Sequence, residues 1–309
     1  MRPVVAAASA KPGQFRRADA ACKAPACLQA AGQGGRIDYT AGMRRLIFII
    51  IWIAVWLPFA AGADDIRLPA GLAKGDKATA VEIVDGDTLV LDSGVEVRLV
   101  GLQAPKLPLG RKNFKAWPLA EEAKAALAEL TQGRRLRLHF GGRRMDRHGR
   151  HLAHLEDMET GRWIQGALLA RGLARVYTFR DNRAVIPEML RLERTARAAR
   201  HGIWGHPYYR IRPAGAAGRD IGSFQLVAGA VRKVAVVRGT TYLNFGADWR
   251  SDFTVMVRGR DRKRWRKAGI SLADFEGKRI RVRGWLKSRN GPMIEATHPE
   301  QIEIVGTDR

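Results

Sequence analysis

The sequence predicts an α+β fold that is mainly β: a small β-barrel with packed helices, followed by a second small β-barrel. In residues 77–205, strand-like and helix-like stretches follow one another in the order β-β-α-β-β-α-α. Residues 207–222 are rich in Gly, Ala, Arg and Pro, which is typical of a linker. Residues 223–306 contain short strand-like stretches separated by glycines, which favours a barrel of the OB type.

The first predicted domain combines alternating apolar residues with longer amphipathic stretches. Pro118 followed by early glutamates is typical of a helix start. Alternation indicates half-buried strands, and the three-to-four residue period indicates helices. The predicted strands are 78–92, 95–102, 135–140 and 151–156, and the predicted helices are 118–130, 163–173 and 187–200.

The second predicted domain has five strands, with a helical piece between the third and the fourth. Arg279, Arg281 and Arg283 alternate with apolar residues, so we expect a basic ladder on one strand face. Aromatic residues of this domain, Trp285 among them, are interleaved with the ladder, a combination that suits single-stranded nucleic acid. A protein-docking or stabilising module is the alternative. The basic run 258–267 is expected to be a solvated loop. The predicted strands are 224–237, 240–245, 253–257, 278–286 and 293–304.

Composition points to a globular, strongly basic protein. The 309 residues are 46% hydrophobic and 27% charged, with a formal net charge of +24. Such a charge favours polyanionic partners, either nucleic acid or an acidic membrane, although surface arginines also keep proteins soluble. The sequence has no P-loop and no dinucleotide-binding glycine signature, so we predict no small-molecule cofactor.

An export signal is predicted inside the chain. Met43-Arg44-Arg45 precedes an apolar run over 46–60 and the small residues 61–63, which is the pattern of a secretory signal peptide. We therefore expect translation to start at Met43, and residues 1–42 to be a mis-annotated or disordered leader. The predicted location is periplasmic or secreted, and an uncleaved membrane anchor is the alternative. Both cysteines, Cys22 and Cys27, fall in that leader, so no disulfide is expected after cleavage.

Two short motifs carry the chemistry. Asp85-Gly86-Asp87-Thr88 ends an apolar run and is followed by Arg98 in the next strand. Asp146-Arg147-His148-Gly149-Arg150 lies between the third and fourth strands. Two guanidinium groups bind phosphate oxygens well, so this set of side chains suits a phosphodiester. An ordinary turn and surface arginines are the plainer interpretation of the same residues.

Further matching segments are 169–174 and Gly202-Ile203-Trp204. All these motifs follow one another over residues 77–205 in the order found in the staphylococcal-nuclease (thermonuclease) family, which this region resembles. The resemblance implies an OB-type five-stranded barrel with three helices and a Ca²⁺-dependent endonuclease that hydrolyses DNA and RNA. It implies that Asp87 binds the metal and that Arg98 and Arg150 hold the scissile phosphate.

The same resemblance places a tyrosine beside the bound nucleotide. That position is Tyr177, and Phe179 follows two residues later. Both rings are candidates to stack on a base, which contributes about 1–3 kcal/mol for each base. A pair of core aromatics is the alternative.

Two positions depart from the pattern of the family. Gln103 stands where the family has its second metal-binding aspartate, and Lys106 stands where it has the glutamate assigned to activate water. We therefore expect weak Ca²⁺ binding, on the order of millimolar, and a phosphate-binding role for Lys106. Other carboxylates could replace the missing ones. The candidates are Asp85, Asp146, Glu121 and Glu122.

The sequence thus predicts an exported, thermonuclease-like phosphodiesterase that uses a divalent cation and is weakly active. The first alternative is a non-catalytic protein that binds DNA or RNA on the same fold. The second is a cell-envelope adaptor that binds an anionic lipid or polymer surface.

Overall fold

A computed structural model of the chain describes residues 66–306, and its α+β architecture confirms the predicted fold class. The predicted leader of residues 1–42 and the predicted signal peptide of residues 43–63 lie outside the described residues. Across 66–306, none of the helices combines the length and the apolar character needed to span a bilayer.

The first sheet is a closed five-stranded barrel with the order β1-β2-β3-β6-β5. Its first strand is long enough to pair with two neighbours: the first half of β1 pairs with β5 and the second half with β2. A two-stranded ribbon, β4 with β7, lies beside the barrel. The strands are β1 (Ala73–Asp85), β2 (Thr88–Leu91), β3 (Glu96–Leu99), β4 (Leu102–Gln103), β5 (Arg135–Phe140), β6 (His151–Asp157) and β7 (Arg175–Val176).

Three α-helices bury one face each against this barrel. They are α1 (Ala120–Thr131), α2 (Ile164–Ala170) and α3 (Ile186–Ala198). The helix α1 buries Leu127 and Leu130, and α2 is buried over almost its whole length. These side chains join one apolar core with the inward residues of the strands, and that core holds the barrel that carries the site.

The second domain, predicted as a small OB-type barrel of five strands, is a sheet of eight strands whose pairing order is β10-β11-β12-β14-β13-β9-β8, with β15 pairing with β13. Two of the predicted strands are each divided by a turn, after Ala230 and after Glu295. The strands are β8 (Arg212–Pro213), β9 (Phe224–Ala230), β10 (Lys233–Val237), β11 (Thr240–Asn244), β12 (Thr254–Val257), β13 (Arg279–Ser288), β14 (Pro292–Glu295) and β15 (Ile302–Ile304).

The basic run that was expected to be a solvated loop is a helix, α4 (Gly259–Lys267). Asp261 lies in its first turn and three basic residues lie in its last turn, an arrangement that matches the helix dipole. Trp265 is buried in the second core and anchors the helix. Composition alone suggested a loop because the run is mostly charged, and its one large apolar residue, Trp265, was not recognised as a buried anchor.

Short 3₁₀ turns complete the structure. The segment 207–222, predicted as a linker, contains two of them and the strand β8, and Tyr209 and Ala217 are buried. The segment is thus packed against the domains and is not a free linker. Its Gly and Ala residues, which suggested flexibility, also allow close packing. The turns are Gly202–Gly205, Pro207–Tyr209, Ala214–Asp220, Ala273–Phe275 and Pro299–Gln301.

A buried ion pair joins the two domains. Arg283 on β13 is only 1% exposed, and its guanidinium donates to both carboxylate oxygens of Glu193 on α3, at 3.0 and 2.9 Å. Arg283 also donates to the backbone oxygen of Val176 and to Glu303. The expectation that Arg281 and Arg283 form a nucleic-acid-binding ladder is therefore wrong. Alternation predicted their common face, but the first domain and Glu303 cover it.

Acid is expected to weaken this joint. Burial alone would raise the pKa of Glu193, but Arg283 and Arg197 lower it below the ordinary value of 4.5. A lowered pKa stabilises the fold fully above pH 4.5, and this contribution is lost as the pH falls through the folded-state value. We expect the free energy of unfolding, measured with urea at pH 7, 4 and 3, to fall more steeply in the wild type than in Glu193→Gln. Equal slopes would contradict this account.

Candidate phosphodiester site

A tight turn places the first motif at the mouth of the barrel. The backbone N–H of Asp87 donates to Asp85 Oδ1 at 3.0 Å, which closes an Asx turn between β1 and β2. Gly86 lies between them, where an added Cβ would come within 2.8 Å of the side chains of Ala104 and Ala123. Only glycine fits this close approach, so the turn packs directly on α1 and on the loop after β4.

Asp87 is fully buried and is surrounded by donors. Its Oδ2 accepts from the backbone N–H of Ala104 at 2.8 Å, and its Oδ1 accepts from the hydroxyl of Thr88 at 3.2 Å. Arg98, paired with Thr88 across β2 and β3, forms an ion pair with the same carboxylate. The guanidinium of Arg98 also donates to the backbone oxygen of Leu102 at 3.3 Å. The carboxylate is therefore a structural anchor for Arg98.

Lys106 lies directly against this carboxylate. Its Nζ is 2.7 Å from Asp87 Oδ1, 2.8 Å from Asp87 Oδ2 and 3.1 Å from Asp85 Oδ2. Burial and the nearby charge of Arg98 lower the pKa of Lys106 to about 7, against the opposing effect of Asp85. Three acceptors use all three N–H donors of an ammonium group, whereas a neutral amine could satisfy only two. The three contacts therefore suit the protonated lysine, which a pKa of about 7 leaves partly populated at neutral pH.

Gln103 is also occupied by a partner from the chain. Its Oε1 accepts from Arg175 Nε at 3.1 Å and from Arg175 Nη2 at 2.8 Å, across the β4-β7 ribbon. Burial lowers the pKa of Arg175 to about 10, so this guanidinium remains charged at neutral pH. The amide oxygen of Gln103 is directed to a cation that belongs to the protein itself.

Arg150 is held by its own turn. Asp146 accepts from the backbone N–H of His148 and of Arg150, and its Oδ2 accepts from Arg150 Nε at 2.8 Å. Gly149 has a backbone φ of 83°, a conformation that residues other than glycine rarely adopt. Glycine at this position therefore allows the turn to close. The turn therefore fixes the direction of the Arg150 side chain.

The two arginines meet at one cavity of about 530 Å³. Arg98 and Arg150 both line it, together with Tyr177 and Phe179, which follow β7. Phe179 is 44% exposed, and its ring centroid lies 4.8 Å from that of Tyr177. The structure thus brings together four of the six predicted site residues in one cavity, while Asp87 and Lys106 form the buried ion pairs behind Arg98.

The side chains at the expected metal position do not suit Ca²⁺. Calcium needs several oxygen ligands, yet both carboxylates at the turn hold the ammonium of Lys106, and Gln103 holds Arg175. Within the described part of the chain, no three His, Cys, Asp or Glu side chains are grouped so as to bind a metal ion. The side-chain nitrogen of Lys106 takes the position at Asp87 that a cation would need.

The carboxylates proposed as replacements are also engaged. Asp85 accepts from Lys106, and Asp146 binds Arg150. Burial would raise the pKa of Asp146, but the backbone N–H of His148 and the side chain of Arg150 lower it, which makes Asp146 a weak base. Glu121 and Glu122 lie exposed on the first turn of α1.

The sequence analysis missed Arg175, and it did not place Trp285, an aromatic residue already associated with single-stranded nucleic acid, at this cavity. Arg175 stands alone in the apolar stretch 173–176, and a lone arginine in such a stretch was the available signal of a buried partner. Trp285, from the second domain, lines the same cavity as Arg98 and Arg150. Its position depends on how the domains dock, for which the sequence holds no local signal.

Known proteins share this barrel region. Residues 96–206 match the family described as "Staphylococcal nuclease homologue". The chain is 35% identical to "Protein ParB" of Escherichia coli, over 43% of this chain and 74% of ParB. It is 32% identical to "Probable staphylococcal-like nuclease CAN1" of Oryza sativa subsp. japonica, over 37% of this chain and 30% of that protein. The closed barrel, its helices and the matched residues lead to one conclusion: the chain belongs to the staphylococcal nuclease homologue family.

Proposed function

We propose that this protein binds DNA or RNA through the cavity of its nuclease-family barrel, with no divalent cation at Asp87. One observation carries the proposal: Arg98 and Arg150 line a single cavity, while Lys106 occupies the carboxylates behind them. Two guanidinium groups bind the oxygens of a phosphodiester, and the net charge of the chain attracts the strand.

Hydrolysis of the phosphodiester is the second candidate function. The arginine pair supports it, because donors fixed where charge develops stabilise a transition state, by roughly 3–4 kcal/mol for one good donor. The absence of a glutamate at position 106 argues against rapid cleavage, since a positioned general base contributes about 10²- to 10⁴-fold. The proposed function is therefore binding of DNA or RNA, with at most slow, metal-independent cleavage of the strand.

Binding in the presence of EDTA tests the proposal. We expect the full-length chain to bind a fluorescent single-stranded DNA or RNA oligonucleotide equally well with 5 mM EDTA and with added Ca²⁺. The log–log plot of affinity against salt should have a slope of about −4 if about six phosphates are neutralised. The same reactions, followed by gel electrophoresis, measure cleavage.

Arg150→Ala provides the variant for this test. We expect weaker binding to every sequence and a salt slope that is less negative by about 0.7, which corresponds to one lost phosphate contact on a single strand. Arg191→Ala, an exposed arginine on α3, is the matched control and should leave both quantities unchanged. Binding that requires Ca²⁺ would refute the metal-free site. Binding to anionic vesicles but to no nucleic acid would favour the envelope adaptor instead.

We also propose that the chain is exported. The basic start at 43–45, the apolar run and the small residues before position 64 support a cleaved signal. Expression in a bacterium, followed by fractionation and N-terminal sequencing, tests the proposal. A mature chain beginning near position 64 outside the cytoplasm supports it, and an unprocessed cytoplasmic chain contradicts it.

A further inference from the structure

One wall of the arginine-lined cavity comes from the second domain. Trp285 on β13 lines this cavity with Arg98 and Arg150, although it belongs to a different sheet. Trp285 is 48% exposed, so its ring is accessible from the cavity. This exposed ring has no role in the phosphodiester site described so far.

The position of Trp285 at the cavity is fixed by the joint between the domains. Arg283 precedes it by two residues on the same strand, so both side chains lie on one face of β13. The guanidinium of Arg283 donates to the backbone oxygen of Val176, the residue before Tyr177. Two residues further along β13, Trp285 Nε1 donates to the hydroxyl of Tyr177 at 2.6 Å.

The rings of Tyr177, Phe179 and Trp285 form an aromatic rim. The ring of Tyr177 also packs on the buried ring of Phe224 on β9, with centroids 4.6 Å apart. This contact holds Tyr177 in place at the rim. A second cavity of about 400 Å³ shares these three rim residues and continues over the second domain. The lining of this second cavity carries both positive and negative charge, because Lys287 and Glu295 form an ion pair there.

We propose that Trp285 stacks on a base of a single-stranded nucleic acid whose phosphodiester lies at Arg98 and Arg150, so that the second domain completes the binding cleft. This inference rests on the proposed function. Ring stacking tolerates any base, since every base has a π-face, and it requires a base that is free of a duplex stack. The rim therefore selects unpaired strands of any sequence.

Substitution of Trp285 tests this role in the full-length chain. With a labelled 12-nucleotide DNA strand in EDTA, Trp285→Ala should weaken binding about 5- to 150-fold, the range expected for one stacked base. Trp285→Phe should stay within about threefold of the wild type, because a phenyl ring still stacks. The salt slope should not change in Trp285→Ala, since no phosphate contact is lost.

Two further variants separate stacking from other roles. Trp249→Ala is the matched control: Trp249 is 49% exposed, lies in the same domain and lines a different cavity, so its loss should leave the affinity within twofold. Tyr177→Phe removes the hydrogen bond to Trp285 but keeps both rings. A loss of affinity that Tyr177→Phe reproduces in full would assign the effect to domain docking and overturn the stacking role.

The failures of the two proposals are distinguishable. If the wild type binds no strand, the proposed function fails. If binding depends on Arg150 but is unchanged in Trp285→Ala, or is weakened equally in Trp249→Ala, only the inference about the second domain fails.

Discussion

Lys106→Glu is expected to convert the lysine-filled pocket into a cation site. The substitution removes the ammonium from Asp85 and Asp87 and adds a third carboxylate beside them. Calcium affinity rises with ligand charge, so we expect a Kd of about 10⁻⁴–10⁻³ M by calorimetric titration, where the wild type shows no binding in this range. Ca²⁺-dependent cleavage should rise by about 10²- to 10⁴-fold, the usual contribution of a positioned general base.

Lys106→Gln is the control for this gain. It removes the same charge and has a similar length, but it adds no carboxylate, so it should bind Ca²⁺ more weakly than Lys106→Glu and cleave no faster than the wild type. Thermal unfolding with and without Ca²⁺ gives an independent readout. The melting temperature of Lys106→Glu should rise with added Ca²⁺, because a ligand that binds only the folded state stabilises it. Equal cation affinity in the two variants would show that the pocket is arranged differently.

Arg283→Ala is expected to lower the free energy of unfolding by about 3–5 kcal/mol. The substitution leaves the carboxylate of Glu193 buried with one cation fewer, and removal of one partner from a buried ion pair has about this effect. It also removes the donor to Val176 that supports the joint between the domains. Urea unfolding followed by circular dichroism measures the change.

An exposed pair provides the comparison for this loss. Arg191 and Glu188 form an ion pair on the surface of α3, at 2.5 Å. Solvent screens such a pair, so Arg191→Ala should change the free energy of unfolding by less than about 1 kcal/mol. If the two arginine variants lost equal stability, burial of Arg283 would not be the source of its effect.

Much of the site followed from local spacing. The turn at Asp87 and the arginines at positions 98 and 150 were predicted as one phosphate-binding group, and both arginines do line one cavity. The reason is that Arg98 lies on β3 and Arg150 immediately precedes β6, and these two strands pair side by side in the barrel. The charge reversal at Lys106 was also visible in the sequence.

Long-range partners could not be predicted in the same way. Gln103 is bound by Arg175, which lies 72 positions later in the chain. The alternation around Arg283 fixed which residues share a face, but whether solvent or another domain covers that face depends on docking. Chain turns divided two of the predicted strands for a similar reason, because pairing partners decide where a strand ends.

The carboxylate of Glu193 serves both halves of the protein at once. It accepts from the backbone N–H of Val176 in its own domain and from Arg283 in the other. A polypeptide severed after position 206 would keep the pairing of Glu193 with Arg197 but lose Arg283, its partner across the joint. Excision of the first domain would therefore yield a less stable fragment, and we expect the two domains of the intact chain to unfold in one cooperative transition.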